Sequence, residues 1–192
     1  WSKINSSNYY FRLIVGDVAF GKTEVIIRAI YLASKSQLQS IILVPTTLLS
    51  KQHYENFTKR FSPFGITVSQ ISRFVSEKNK LEIYEQIKEG SIQIIVGTHA
   101  LLNDKIKFKK LGLIIYDEEQ KFGTKQKEKL KEIAPSAHVI SLSATPIPRT
   151  LSMSLSGIRD LSLILTAPYE RLAVRTFISP FDKFTIIESI KR

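Results

Sequence analysis

Gly16-Asp17-Val18-Ala19-Phe20-Gly21-Lys22-Thr23 reads as a complete G-x-x-x-x-G-K-[ST] phosphate loop. Its flanks decide the fold as much as its own residues do. The apolar run 11–15 precedes it and a helical pattern over 22–33 follows, so the loop joins a strand to a helix, the setting its chemistry requires. Glycine at 16 and 21 lets bare backbone N–H groups come within hydrogen-bond reach of phosphate oxygens. Lys22 brings a point charge to those oxygens, and Thr23 a hydroxyl for Mg²⁺. A helix opening at the loop adds its positive dipole end and its unpaired first-turn N–H groups. The stretch predicts a site for a nucleoside triphosphate.

The rest of the composition narrows the class. The chain has 192 residues, 43% of them apolar, which suffices for one domain with a proper core and something left over. It has no cysteine and three scattered histidines, so neither a disulfide framework nor a thiolate metal site is available. No apolar run approaches the roughly 20 residues of a membrane span, and residues 1–10 lack a signal pattern. A soluble protein that fits the cytoplasm is expected, with no membrane partner. The net charge is +11, from 28 basic and 17 acidic residues, and such a surplus favours an anionic polymer, nucleic acid first. A solubilising surface explains the charge equally well. Lys121, Lys125, Lys127, Lys129 and Lys131 alternate with Glu128 and Glu132 and read as an exposed helix face as much as a binding stripe. Lys105, Lys107, Lys109 and Lys110 surround Ile106 and Phe108, as in a loop or edge strand.

Apolar runs rich in Ile, Val and Leu recur at 11–15, 40–44, 66–71, 92–96, 111–116 and 138–142. They are continuous rather than alternating, as strands buried on both faces are. Amphipathic helical stretches at 22–33, 47–61 and 77–89 lie between them. This alternation predicts βαβ crossovers and a three-layer αβα sandwich with a mostly parallel sheet. Ligands in such folds bind beyond the carboxyl ends of the strands. A last strand is expected at 161–165, followed by a break at Thr166-Ala167-Pro168 and a helix beginning near Pro180 and Asp182. The apolar face of that helix, Phe184, Ile187 and Ile190, has no visible partner, so residues 167–192 read as a linker and the truncated start of a second lobe. Residues 11–166 form the expected ATP-binding domain, with 1–10 outside it.

Two further groups carry chemistry. The run 111–116 delivers Asp117-Glu118-Glu119-Gln120 at a strand end, about 95 residues after Lys22. Phosphoryl transfer needs one carboxylate near the phosphate loop to bind Mg²⁺, here Asp117, and a second to orient and polarise water, here Glu118. Ser143-Ala144-Thr145-Pro146 follows the next strand. Two hydroxyls at i and i+2 can join the carboxylates to whatever lies across the strand ends, although an ordinary Ser/Thr turn has the same appearance.

Taken together, these motifs resemble the first, RecA-like motor lobe of superfamily 2 helicases and translocases, a branch of the phosphate-loop NTPases. Gly-Asp-Val-x-Phe-Gly-Lys-Thr-Glu at 16–24, Val-Pro-Thr-Thr-Leu-Leu at 44–49, Ile-Ser-Arg-Phe at 71–74, Gly-Thr-His-Ala-Leu-Leu at 97–102 and Ser-Ala-Thr-Pro-Ile-Pro-Arg-Thr-Leu at 143–151 are similar to the transcription-repair coupling factor (Mfd) family. The fork-remodelling RecG family shares part of the pattern and is the nearest alternative. The resemblance implies an ATP- and Mg²⁺-dependent translocase on double-stranded DNA that displaces stalled RNA polymerase. It meets polymerase and excision-repair proteins through domains absent here.

Carried over by position, Gly16 through Glu24 hold nucleotide, Thr23 and Asp117 the metal, and Lys22, Asp117, Glu118 and Gln120 serve catalysis. Ser143 and Thr145 couple hydrolysis to DNA. Pro45, Thr46, Thr47, Arg73, Thr98, His99 and Arg149 match segments that follow the DNA backbone, a task suited to hydroxyls, loop N–H groups and a few cations. Thr46 and Thr47 could equally cap a helix. Three departures stand out. Ala19 replaces the usual glycine, which strains the loop by about 1 kcal/mol or more if the position needs a positive φ. Gln120 replaces the commoner histidine. The second lobe, source of the arginine fingers, is not encoded, so a non-catalytic remnant that binds nucleotide or DNA is the competing expectation.

Overall fold

The computed structural model describes residues 10–73, 75–144, 160–168, 178 and 180–191. Thr145, Arg149 and the rest of the segment 145–151 lie outside the described residues. Seven strands form one sheet: β1 (Phe11–Gly16), β2 (Gln39–Leu43), β3 (Val68–Ile71), β4 (Ile94–Gly97), β5 (Leu111–Tyr116), β6 (His138–Ser143) and β7 (Asp160–Ile164). Their order is β3-β4-β2-β5-β6-β1-β7, and every pairing is parallel. Strands joined this way need crossovers, which α1 (Lys22–Lys35), α2 (Thr47–Phe61), α3 (Glu77–Glu89) and α4 (Thr124–Ile133) supply. A further helix, α5 (Lys183–Lys191), follows β7.

Alternation along each strand sorts the core into two layers. Ile42, Ile94, Val96, Leu113, Ile115, Ile140 and Leu142 pack with Ile26 and Ile30 of α1 and Phe57 and Phe61 of α2. The intervening residues Ile41, Leu43, Ile95, Ile114, Tyr116 and Val139 pack with Tyr84 and Ile87 of α3 and Leu130 of α4. Both faces of β2 and β4 are therefore dry, which is why their sequences show no polar alternation. The expected three-layer sandwich is present.

Capping sets the helix limits. The Thr46 hydroxyl accepts from the Leu49 N–H at 3.2 Å and opens α2; Ser76 does the same for Asn79 at 3.3 Å and opens α3. Gly90, at φ 84°, closes α3 in the left-handed conformation. β3 begins at Val68 rather than 66 because the Ile66 N–H is drawn back to the Phe61 carbonyl at the end of α2. Lys105 to Lys110 form a loop. In α5, the Asp182 carboxylate accepts from the Thr185 N–H at 2.9 Å, and Phe184, Ile187 and Ile190 are exposed, as the pattern predicts.

Candidate nucleotide site

Parallel pairing brings all strand carboxyl ends to one rim. The register sets Val15 beside Ser143, Tyr116 beside Ser141, Leu43 beside Tyr116 and Gly97, and Ile71 beside Gly97. The phosphate loop after β1, Ser143 at the end of β6 and Asp117 after β5 consequently stand on three adjacent strands. Two strand spacings, about 10 Å, separate the first from the last. That gap spans a triphosphate tail with its cation.

Each glycine of the loop has its own reason. A Cβ on Gly16 would lie 3.0 Å from Ile164 Cβ, so close approach of β7 demands the small residue. Gly21 has open space but φ 81°, so conformation demands it. Ala19 is at φ 63°, the left-handed region its methyl disfavours. The strain anticipated for this position is present.

Lys22 Nζ donates to the carbonyls of Gly16 at 2.6 Å and Asp17 at 3.0 Å. The Val18 N–H donates to Asp17 Oδ1 at 2.7 Å and the Phe20 N–H to the Asp17 carbonyl at 3.2 Å. Lys22 and Thr23 open α1, where backbone N–H groups have no intrahelical acceptor. Glu24 points its carboxylate at Arg60 of α2, so its contribution to the loop is an ion pair that ties α1 to α2.

At the acidic end, Glu118 adopts φ 56°, ψ 56°, and the Gln120 side-chain amide donates to its carboxylate. Ser143 Oγ donates to Gln120 Oε1 at 3.4 Å. The expected link from Ser143 to the carboxylates thus runs through Gln120, whose amide both donates and accepts. Glu119 is buried and paired with Lys127 of α4 at 2.9 Å, while Lys129 pairs with Asp104 at 2.8 Å. Lys129 also holds the Asp104 carboxyl below its ordinary range, chiefly by hydrogen bonding. The α4 lysines are therefore partly engaged in ion pairs rather than forming a free stripe.

Asp117 has a partner that sequence reasoning missed. His53 Nε2 stands 2.8 Å from Asp117 Oδ2, and both side chains are largely buried. The available signal was position: Ser50, His53, Phe57 and Phe61 form the buried stripe of α2, and a polar side chain on such a stripe must find a hydrogen bond. Its partner lies 64 residues away.

The remaining candidates share the rim without forming one cluster. Pro45 and Thr47 are half-buried, while Thr46, Arg73 and His99 are exposed. Thr46 spends its hydroxyl on the α2 cap. Thr98 is buried, and its carbonyl accepts from the Leu101 N–H at 3.0 Å. Gly97 lets β4 pass close to β3, since a Cβ there would lie 2.5 Å from the Ile71 carbonyl oxygen.

The donor set suits Mg²⁺. Among the described residues no three His, Asp or Glu side chains converge into a closed cage. Magnesium held beside a nucleotide takes one or two protein oxygens and completes its shell with phosphates and water. The Thr23 hydroxyl and the Asp117 carboxylate, on segments that follow the strands either side of β6, are donors of that kind.

A parallel αβα sandwich with a phosphate loop and an acidic strand end on one rim defines a phosphate-loop NTPase of the RecA-like type. The chain belongs to the DEAD/DEAH box helicase family, whose family model matches residues 8–154. It is 50% identical to the transcription-repair-coupling factor of Escherichia coli over 181 residues, 94% of this chain and 16% of that protein. It is also 50% identical to a chloroplastic ATP-dependent DNA helicase of Arabidopsis thaliana, covering 22% of it. The chain thus spans about a fifth or less of the length of these relatives. Among solved structures, RecG bound to a three-way DNA junction superposes with a TM-score of 0.80 at 31% identity, over 98% of this chain and 25% of that one. The helicase domain of Pyrococcus furiosus Hef shares the fold, with a TM-score of 0.64 at 23% identity over 84% of this chain and 36% of that one.

Proposed function

We propose that this chain is the ATP-binding motor lobe of a duplex-DNA translocase of the transcription-repair coupling type. The observation that carries the reading is the shared rim, where the loop at Lys22 and the carboxylates of Asp117 and Glu118 flank Ser143. In this reading Lys22 and the amides of Gly16 to Thr23 grip the β- and γ-phosphates, while Thr23 and Asp117 hold Mg²⁺. The cation neutralises charge on the phosphate oxygens. Glu118 orients the attacking water and takes its proton, with Gln120 fixing the carboxylate and Ser143 fixing Gln120. Thr145 and Arg149 belong to the coupling and DNA-facing sets through the family pattern alone. Pro45, Thr46, Thr47, Arg73 and His99 form the DNA-facing side of the rim, and Thr98, buried, supports the turn that carries His99. The likeness to the transcription-repair-coupling factors supports displacement of stalled RNA polymerase as the task of the whole motor. Residues 11–166 are its first lobe, and 167–192 lead toward a second.

The strained Ala19 favours one other reading, a lobe that binds nucleotide or DNA without turnover. An arginine finger from a second lobe contributes about 10³ to 10⁵ in rate, so the isolated chain is expected to bind ATP far better than it hydrolyses it. Hydrolysis measured with and without duplex DNA, beside Lys22→Ala, tests the motor reading. Turnover equal to that of the Lys22→Ala variant under both conditions rejects catalysis by this chain, and equal ATP affinity in the two proteins rejects the site itself.

A further inference from the structure

Asp117 is held from two directions by a single β–α unit. Its backbone N–H donates to the Leu43 carbonyl at the end of β2, 2.9 Å away. Its Oδ2 faces His53 Nε2, at 2.8 Å, on the helix that directly follows β2. The imidazole and carboxylate are 10% and 14% exposed, so water does not readily replace either partner. An ionised carboxylate only accepts hydrogen bonds, which puts the proton on Nε2. We propose that His53 is a positioning residue for the metal-binding carboxylate: it engages Oδ2, fixes the orientation of Asp117, and leaves Oδ1 for a divalent cation. The proposal rests on reading Asp117 as the Mg²⁺ ligand.

Packing alone does not account for this arrangement. The His53 ring lies against Phe57, with centroids 5.3 Å apart, and a leucine or phenylalanine would fill that place equally well. What neither could supply is a donor to a buried carboxylate oxygen. Partners of this type set the orientation and basicity of a metal ligand, and their loss typically costs 10- to 100-fold in metal affinity. His53 also lies seven residues beyond the Thr46 cap, about 10 Å along α2.

The test measures binding of a fluorescent ADP analogue to this chain, with and without Mn²⁺. His53→Leu is expected to raise the Mn²⁺ concentration for half-saturation about 10- to 100-fold while leaving metal-free nucleotide affinity nearly unchanged. His53→Gln, whose amide can donate to Oδ2, recovers most of the loss. In the unsubstituted chain, the His53 ring N–H resonance is expected to move when Mg²⁺ and ADP are added together and to stay in place with ADP alone. An unchanged metal requirement in His53→Leu, a glutamine variant no better than leucine, or a ring signal indifferent to metal overturns the proposal. If His53→Leu does not fold, the glutamine variant and the ring signal decide. Nucleotide binding by the unsubstituted chain that needs neither metal nor Lys22 overturns the site reading as well, which separates the two failures.

Discussion

Ala19 shows how one methyl group can set the quality of a phosphate loop. At φ 63° its Cβ crowds the following carbonyl, at a cost of about 1 to 2 kcal/mol. Glycine removes that strain but gives the unfolded chain more freedom, which takes back about 0.4 to 1 kcal/mol. Ala19→Gly is therefore expected to raise the thermal midpoint by about 1 to 3 °C, and scanning calorimetry reads the shift. A lower midpoint would mean that the loop does not hold this conformation in solution. Glu118 makes the complementary case, because its left-handed φ of 56° aims a carboxylate that Gln120 then holds. Glu118→Gln is expected to keep ATP affinity within about 3-fold while lowering turnover by about 10² or more, the range of a lost general base. Paired binding and hydrolysis assays check it; equal losses in both would assign Glu118 to binding.

At the scale of elements, tolerance is lowest where strands end. Gly97 closes β4 between two neighbours, and Gly97→Ala would place a carbon 2.5 Å from the Ile71 carbonyl oxygen and 2.8 Å from Leu101. Backbone cannot yield as a side chain does, so the substitution is expected to cost about 2 to 3 kcal/mol, read as a lower urea midpoint. The first turn of α5 depends instead on charge. Hydrogen bonds from the Thr185 side chain and then from the backbone N–H groups of Thr185 and Phe184 hold the Asp182 carboxyl below its ordinary range. A depressed carboxyl stabilises the fold above its unfolded pKa, about 3.9, and that contribution disappears as pH falls through the lower folded value. The protection of the Thr185 amide, its exchange rate compared with that of an unstructured peptide at the same pH, is expected to fall below about pH 4, a change that Asp182→Asn shows much less. The elements themselves were legible because strands dry on both faces leave unbroken apolar runs, and α2 and α3 carry their caps in sequence at Thr46 and Ser76. The start of β3 was not, since only tertiary contact sends the Ile66 N–H back to Phe61.

The whole molecule decides what the motifs do together, and strand order is the part a linear pattern does not contain. A phosphate loop and an acidic strand end announce a shared rim, but only the placement of β2 beside β5 brings His53 within reach of Asp117. Charge obeys the same limit. A net charge of +11 suggests extensive contact with a polyanion, yet Lys51, Arg60, Lys80, Lys88, Lys127 and Lys129 all sit in ion pairs. Lys109 and Lys110 precede β5 and so lie at the opposite end of the sheet from Asp117, with Lys109 Nζ donating to the Glu89 carbonyl. If the strand-end rim carries DNA, Lys109 and Lys110 lie away from its phosphates, and contact rests on cations of the rim such as Arg73. The slope of log affinity against log salt for duplex DNA is then expected near −2 to −4, whereas engagement of the full charge would bring it to about −10. Arg73→Ala should make the slope shallower by about 1, as one phosphate contact requires, and Lys109→Ala should leave it unchanged. Fluorescence anisotropy over a salt series measures both variants. A slope that follows Lys109 and ignores Arg73 would move the DNA to the opposite end of the sheet, away from the carboxylates that its binding must reach.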